Sequence, residues 1–259
     1  MERHPAKAFY SLAGPFDIIG DVHNCADELY ELLEILGHDP HHVQPSAPNG
    51  RTLVFVGDLV DRGPNAPAVL RLALDLVETE RAIWIKGNHD DKFIRYLCGN
   101  PVQIIRGLEK TVEQLQDLPE DEAISIRERV LALNRTRQIY PYVVLDEGRL
   151  VVSHAGIRED MIGRLTPEIE AFCKYGDVDK KALKAGKLIR RDWAQDYRGE
   201  AWVIYGHTVV EEPRIVNKTA NIDTGCVFGG RLTAYRYPEH ECVSVPAKRE
   251  YAQRTDPSL

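Results

Sequence analysis

Five short polar segments, Gly20-Asp21-Val22-His23, Gly57-Asp58-Leu59-Val60-Asp61-Arg62-Gly63, Gly87-Asn88-His89-Asp90, His154-Ala155-Gly156 and Gly206-His207-Thr208, carry carboxylate, imidazole and amide groups of the kinds that hold divalent cations. Asp21 and His23 lie two apart in an extended turn, so their side chains point the same way and suit a shared ion. Asp58 follows an apolar run in the same manner. Its two oxygens can bridge two ions, and Asn88, His154 and His207 are candidates to complete a second position. Ligation by Asp, His and Asn favours Mn2+, Fe2+ or Zn2+ over calcium, and the absence of cysteine from the set argues against a structural zinc; Mn2+ is the first choice. Two such ions about 3.5–4 Å apart activate a bridging water and clamp phosphoryl oxygens for in-line attack. The expected chemistry is therefore hydrolysis of phosphate esters or anhydrides without a covalent intermediate. Asp61 and His89 offer an acid pair for the leaving oxygen, and Arg62 a bidentate grip on phosphate. Asp223, in Asn221-Ile222-Asp223-Thr224-Gly225, is placed to orient a ligating histidine from behind.

These segments need strand ends to hold them. Phe16 to Ile19 is a short apolar run closed by Gly20, and Leu29, Leu32, Leu33 and Leu36 then recur at helical spacing until Gly37. A strand over Leu53 to Val56 precedes a helical pattern through Val69, Leu70, Leu72, Ala73, Leu76 and Val77, and Ala82 to Ile85 supplies a third strand. Such repetition implies an α/β core with ligands gathered beyond the carboxyl ends of strands. Residues from about 93 to 140 read as a helical insertion that caps the site, and a second insertion runs from about 157 to 198. Tyr142 to Leu145 and Leu150 to Val152 form a hairpin that delivers His154. Short strands resume at Trp202 to Tyr205, Thr219 to Ile222, Arg231 to Ala234 and Val243 to Val245. Their connections are too short for crossover helices, so the second half is expected to be more antiparallel. Residues 248–259 read as a loosely ordered polar tail.

The 259 residues, 43% hydrophobic, suit a single domain with long functional insertions. A formal net charge of -7 excludes general electrostatic binding of nucleic acid, so an anionic substrate must be drawn locally, by metal ions and a few arginines. The cysteines Cys25, Cys98, Cys173, Cys226 and Cys242 are odd in number and form no Cys-x-x-Cys pair, which fits reduced thiols in a cytoplasmic protein. No signal-peptide core or spanning segment is present, so a soluble protein without a membrane role or an obligate partner is expected.

Weaker signals compete with structural explanations. Arg190 and Arg191, preceded by Lys180, Lys181, Lys184 and Lys187, could reach a second phosphate, Arg191 in particular, whereas the lysines suit a solvated helix face. His38, His41 and His42 resemble a ligand cluster, but Pro40 breaks the helix that would align them, so a solvent loop is expected. Trp193, Tyr197, Trp202 and Tyr205 could stack a base, yet they fit a core better. Cys25 and Cys226 fit packing rather than nucleophilic roles.

Taken together, the motifs resemble the PPP superfamily of binuclear metallophosphoesterases, with its pattern GDxHG, GDxVDRG, GNH(E/D), HAG or HGG and a late histidine, over residues 16 to 246. More narrowly, the chain is similar to bacterial diadenosine-tetraphosphatase-like phosphatases. It is also similar to the phosphatase module of bacterial polynucleotide kinase-phosphatase, through Tyr205-Gly206-His207-Thr208, the segment from Asn221 to Gly230, and Val243-Ser244-Val245-Pro246. No G-x-x-x-x-G-K-[ST] is present, so a stand-alone phosphatase unit is expected. The resemblance implies a calcineurin-like sandwich of two mixed sheets flanked by helices. It implies Asp21, His23 and Asp58 on one metal and Asp58, Asn88, His154 and His207 on the other, His89 with Asp61 as acid, and Arg62 as phosphate clamp. Asn24 stands where the family usually has Gly, a position that Asn can fill because it tolerates left-handed geometry. The expected substrate is a phosphorylated small molecule or a nucleic-acid end, with dinucleoside polyphosphates and RNA-end phosphates foremost. A protein serine/threonine phosphatase acting on a phosphoprotein shares the chemistry. A non-catalytic metal-binding scaffold would have no use for the acid pair.

Overall fold

The computed structural model describes residues 10–41, 50–184, 187 and 189–254. Four parallel strands, β1 (Phe16–Ile19), β2 (Thr52–Phe55), β3 (Ala82–Ile85) and β4 (Ile139–Tyr140), form most of one sheet. Its other edge is closed by two strands from the far end of the chain, β12 (Arg231–Tyr237) and β13 (Glu241–Pro246), giving the order β13-β12-β1-β2-β3-β4. The second sheet runs β10-β11-β9-β6-β5, with β5 (Tyr142–Leu145), β6 (Leu150–Ser153), β9 (Trp202–Tyr205), β10 (Arg214–Val216) and β11 (Thr219–Asn221).

Side-chain alternation stacks the two sheets. Phe16 and Ile18 on β1, Val54 on β2 and Ile83 and Ile85 on β3 share one buried cluster with Val143, Leu145, Leu150, Val152 and Ile204 of the second sheet. Their neighbours in sequence face outwards and each covers a helical layer. Ile19, Leu53, Phe55 and Trp84 pack against α1 (Ala26–Ile35), α2 (Ala66–Glu78), α3 (Asn88–Leu97), α4 (Leu108–Gln116) and α5 (Glu120–Arg135). Tyr142, Val144, Val151, Val203 and Tyr205 pack against α6 (Pro167–Tyr175) and α8 (Trp193–Asp196). Between these helices lie the two-stranded pair β7 (Asp177–Val178) and β8 (Arg190–Arg191) and the short α7 (Lys180–Lys184). The result is a helix–sheet–sheet–helix sandwich, the two-sheet fold expected.

Several sequence expectations are refined. The residues from about 93 to 140 supply the end of α3 and two further helices: α4 and α5 join α2 in the core of the first helical layer, and α4 reaches the polar cluster described below. The second half is mixed rather than mainly antiparallel, because β9 pairs parallel with both β6 and β11. The chain between β6 and β9, carrying α6 and α8, makes one crossover, and the stretch through β10 makes the other. The tail is not loose over residues 248–254: Tyr251 N bonds Val227 O at 3.0 Å, and the Lys248 amide and the Tyr251 hydroxyl both reach Glu28 Oε1 on α1, at 2.8 and 2.7 Å. His38 is not in solvent but buried, with Nε2 2.9 Å from Asp17 Oδ2 on β1, whereas His41 is exposed; His42 and residues 255–259 lie outside the described residues. Trp193, Tyr197 and Tyr205 are buried in the core, Trp202 stacks on His240, and Cys25 and Cys226 are buried. Among the described residues no helix is long and apolar enough to cross a membrane.

Candidate active site

The polar segments all leave the carboxyl ends of strands that point the same way. Asp21 and His23 follow β1, Asp58 follows β2, Asn88 and His89 open α3 directly after β3, His154 follows β6, His207 follows β9, and Asp223 follows β11. Because β1, β2 and β3 are mutually parallel and β6, β9 and β11 likewise, the two sheets bring these ends to one rim. Close approach there demands glycine. A Cβ on Gly206 would collide with the Asp21 carboxylate, and one on Gly87 with that of Asp58. His23, Asn24, Asp58, Asp61, Arg62 and His207 all have positive φ, so the loops hold strained backbone at the residues that converge. Asn24, at φ 60°, takes the left-handed conformation.

His23 and His154 are each anchored through Nδ1 on a backbone carbonyl, which turns Nε2 toward the Asp58 carboxylate. His23 donates from Nδ1 to Val60 O (2.8 Å), which leaves Nε2 3.7 Å from Asp58 Oδ2. His154 donates from Nδ1 to Val56 O (3.2 Å), and its Nε2 faces Asn88 Oδ1 (3.1 Å), His207 Nδ1 (3.1 Å) and Asp58 Oδ2 (3.4 Å). The Asp21 carboxylate receives the His207 amide at 3.2 and 3.3 Å and lies 3.7 Å from His154 Nδ1. Nitrogen and oxygen donors of Asn88, His207 and Asp58 thus converge within 3.1–3.4 Å of His154 Nε2, a clustering of the donor types that divalent ions bind. Burial, with the neighbouring Asp223 and Asp58 charges, pushes the Asp21 carboxyl well above its ordinary value, and burial pushes His23, His154 and His207 down. The arrangement thus disfavours both carboxylate anions and imidazolium cations in the absence of a metal, while neutral imidazoles and carboxylates are what a divalent ion binds. The donor set fits divalent metal ions.

Beside this cluster, Asp61 Oδ2 lies 2.6 Å from His89 Nδ1. Burial, the largest influence on both, raises Asp61 to about 7 and lowers His89 to about 3, so below about pH 7 the pair favours a protonated carboxyl facing Nδ1 of a neutral ring whose hydrogen is on Nε2. The His89 amide donates to Asp58 Oδ1 (2.9 Å), which fixes the start of α3 against the shared carboxylate. The Arg62 guanidinium lies 5.3 Å from the Phe228 ring centre, with Nη1 2.7 Å from His23 Nε2.

All the residues expected at the site are therefore brought together except Arg191, which is exposed and pairs with Asp179 at 2.8 Å. Its neighbour Arg190 turns to the cluster instead, with Nη2 3.1 Å from His207 Nε2. Asp223 is buried beside Asp21, and its carboxylate receives the Gly225 amide at 3.1 Å. Two buried residues were not anticipated. Asp90 accepts the amides of Asp58, Leu59 and Gly87 and the indole N–H of Trp84, tying the second and third segments together. Thr111 on α4 donates to Asp61 Oδ1 and accepts from the Asp61 amide, both at 3.0 Å, and from Asn24. Asp90 had a sequence signal, since it stands at the third helical position where a carboxylate caps its own helix. Thr111 had none.

Comparison with known proteins agrees with this geometry. The sequence profile of the family described as calcineurin-like phosphoesterase matches residues 14–211. The chain is 48% identical over 236 residues to the asymmetrical bis(5'-nucleosyl)-tetraphosphatase PrpE of Bacillus subtilis (strain 168), covering 91% of this chain and 96% of the relative. With the protein of the same name from Geobacillus sp. (strain WCH70) it shares 47% identity over 235 residues, 91% and 95% of the two chains. Among solved structures, a candidate diadenosine tetraphosphatase superposes with a TM-score of 0.63 at 24% identity, covering 92% of this chain and 96% of that one. A protein serine/threonine phosphatase from Saccharomyces cerevisiae gives 0.55 at 12% identity, covering 98% and 83%. These structural likenesses establish the fold, and the sequence matches establish the descent: the chain is a metal-dependent phosphohydrolase belonging to the calcineurin-like phosphoesterase family.

Proposed function

We propose that this chain is a binuclear, Mn2+-dependent hydrolase that cleaves dinucleoside tetraphosphates asymmetrically within the polyphosphate chain. The observation that carries the chemistry is the position of Asp58, whose Oδ2 faces His23 Nε2 on one side (3.7 Å) and His154 Nε2 on the other (3.4 Å). A single carboxylate between two imidazole groups suits a bridge between two ions. Asp21, His23 and Asp58 would hold one, and Asp58, Asn88, His154 and His207 the other. When bound, the pair supplies an activated water and neutralises charge on the phosphoryl group. His89 offers its Nε2 hydrogen to the departing oxygen, and Asp61 keeps the ring in that orientation and passes its carboxyl proton to Nδ1. Arg62, seated over Phe228, grips the non-bridging phosphoryl oxygens. The choice of substrate is supported by the named relatives, which match over nine-tenths of the chain.

Purified protein supplied with Mn2+ would be given diadenosine tetraphosphate, 2′,3′-cyclic AMP, a phosphorylated RNA end and a phosphopeptide, with products separated by anion exchange. Equal amounts of ATP and AMP from the dinucleotide are expected. ADP as sole product, or an inert dinucleotide beside a cleaved RNA end or phosphopeptide, would overturn the reading.

A further inference from the structure

A cavity of about 440 Å³ lies lateral to the metal cluster, lined by Lys86, Asn134, Arg137, Tyr140, Pro141 and Thr166 among others. Its volume falls within the range of small-molecule sites, roughly 300–1,000 Å³. Lys86 immediately follows β3, and its amide bonds Tyr140 O at 2.7 Å at the end of the parallel strand β4. Pro141 precedes β5, whose first residue Tyr142 is in register with Ser153, the residue before His154. The cavity therefore sits on the same rim as the metal cluster, one strand position beyond Asn88 in one sheet and one beyond His154 in the other. Neighbouring strands are about 4.8 Å apart, so the separation is of the order of 10 Å.

Its lining has two chemical characters. Tyr140, Pro141 and Pro167 offer flat apolar faces, and Asn134, Thr166 and Glu170 offer hydrogen-bonding edges, while Lys86 and Arg137 contribute positive charge. Helix α6 leads from this cavity to the catalytic rim. Glu170 lines the cavity, Lys174 follows one turn later on the same face and pairs with Asp91 of α3 at 3.2 Å, and Cys173 O receives the amide of Ala155, next to His154. Lys86 and Arg137 thus stand at the cavity opposite the single lining carboxylate of Glu170, and the Lys174–Asp91 pair lies between it and the polar cluster, in a chain whose net charge is negative.

We propose that this cavity is the subsite for the nucleoside distal to the cleaved phosphate, with Arg137 and Lys86 holding the adjoining phosphates. The inference rests on the proposed dinucleotide activity. It would explain asymmetric cleavage, because a base fixed at a set distance from the metal cluster selects which phosphate reaches the activated water. A free nucleotide has the same chemistry and would use the same lining.

Two measurements separate these cases. The first is the ratio of kcat/KM for diadenosine tetraphosphate to that for p-nitrophenyl phosphate, in wild type and Arg137→Ala. Loss of one charge-assisted contact should lower that ratio about tenfold. An unchanged ratio, including an equal loss on both substrates, would overturn the proposal. The second is photolabelling of metal-free wild-type protein with 2-azido-ATP, followed by peptide mapping. Label on residues 134–141 or 165–170 is expected, and label confined elsewhere, or none, would refute the subsite. Label there with an unchanged ratio would assign the cavity to a free nucleotide instead. If the wild type leaves the dinucleotide intact, the functional reading fails, and the labelling still reports on the cavity.

Discussion

At the scale of single residues, the acid pair makes the sharpest claim. His89 is oriented by Asp61 at 2.6 Å, and the proposed function assigns it the delivery of a proton. His89→Ala should lower kcat for phenyl phosphate by roughly 10²–10⁴, since phenolate leaves poorly, and cost much less for p-nitrophenyl phosphate, which is nearly the same size. Equal losses on the two esters would remove His89 from that role. Polyphosphate is itself a good leaving group, so diadenosine tetraphosphate should behave like the nitrophenyl ester. The ligand residues were legible because each is a polar type directly after an apolar run. Arg191 shows the limit of that reading: adjacent residues on an extended pair point opposite ways, and nothing in Arg190-Arg191 says which side meets the site.

At the scale of elements, most strands and helices with four or more periodic residues were readable, as was β11 through the run that ends at Ile222, whereas β4, β7, β8 and β10 are two or three residues long and too short for alternation to register. The parallel pairing of β9 was missed for a different reason: one crossover carries short helices inside a stretch without a dominant period, and the other only the three-residue β10. Helix α4 illustrates a contact that only folding reveals, since Thr111 meets Asp61 across fifty positions of sequence. Thr111→Val keeps the shape but strips the hydroxyl from three buried partners. It should destabilise the protein by about 2 kcal/mol in urea unfolding, and selectively slow the turnover of phenyl phosphate. A stable variant with wild-type turnover would mean that α4 does not steady the acid pair.

At the scale of the whole molecule, two charge clusters pull stability in different directions. In the rim cluster, burial disfavours the Asp21 anion and the imidazolium forms of His23, His154 and His207, a cost that divalent ions would relieve, so removal of metal should weaken the fold. Binding at a hundredfold excess over Kd contributes about 2.7 kcal/mol, and EDTA should then lower Tm by roughly 5–10 °C, with Mn2+ restoring it. Asp58→Asn should respond far less to Mn2+, and a wild-type Tm indifferent to EDTA would contradict the scheme. At the opposite end of β1, buried Asp17 receives Arg51 at 2.8 Å, Arg236 at 3.1 Å and His38 at 2.9 Å. Burial alone would raise its pKa, but the His38 hydrogen bond and the Arg51 and Arg236 interactions together hold it below 3.8. A lowered native value means that this stabilisation is complete above the unfolded pKa and disappears as pH falls through the native one. Asp17→Asn should cost roughly 1–3 kcal/mol at pH 7, because Arg51, Arg236 and His38 lose their buried carboxylate acceptor while Arg51 keeps its pair with Glu239 at 2.9 Å. Below about pH 4 the gap to wild type should narrow, and a constant gap from pH 7 to pH 3 would show that Asp17 is not the titrating group.

The order β13-β12-β1 also bears on how the molecule is made. Strand β1, which leads into the first ligand loop, pairs on one side with β12, and β12 is synthesised only after every other metal-binding segment has emerged. Until then β1 presents an open edge to whatever surrounds the ribosome. Premature termination after His207 but before Arg231 would leave a chain that holds all the proposed ligands yet retains a bare strand, a species for quality control rather than for catalysis.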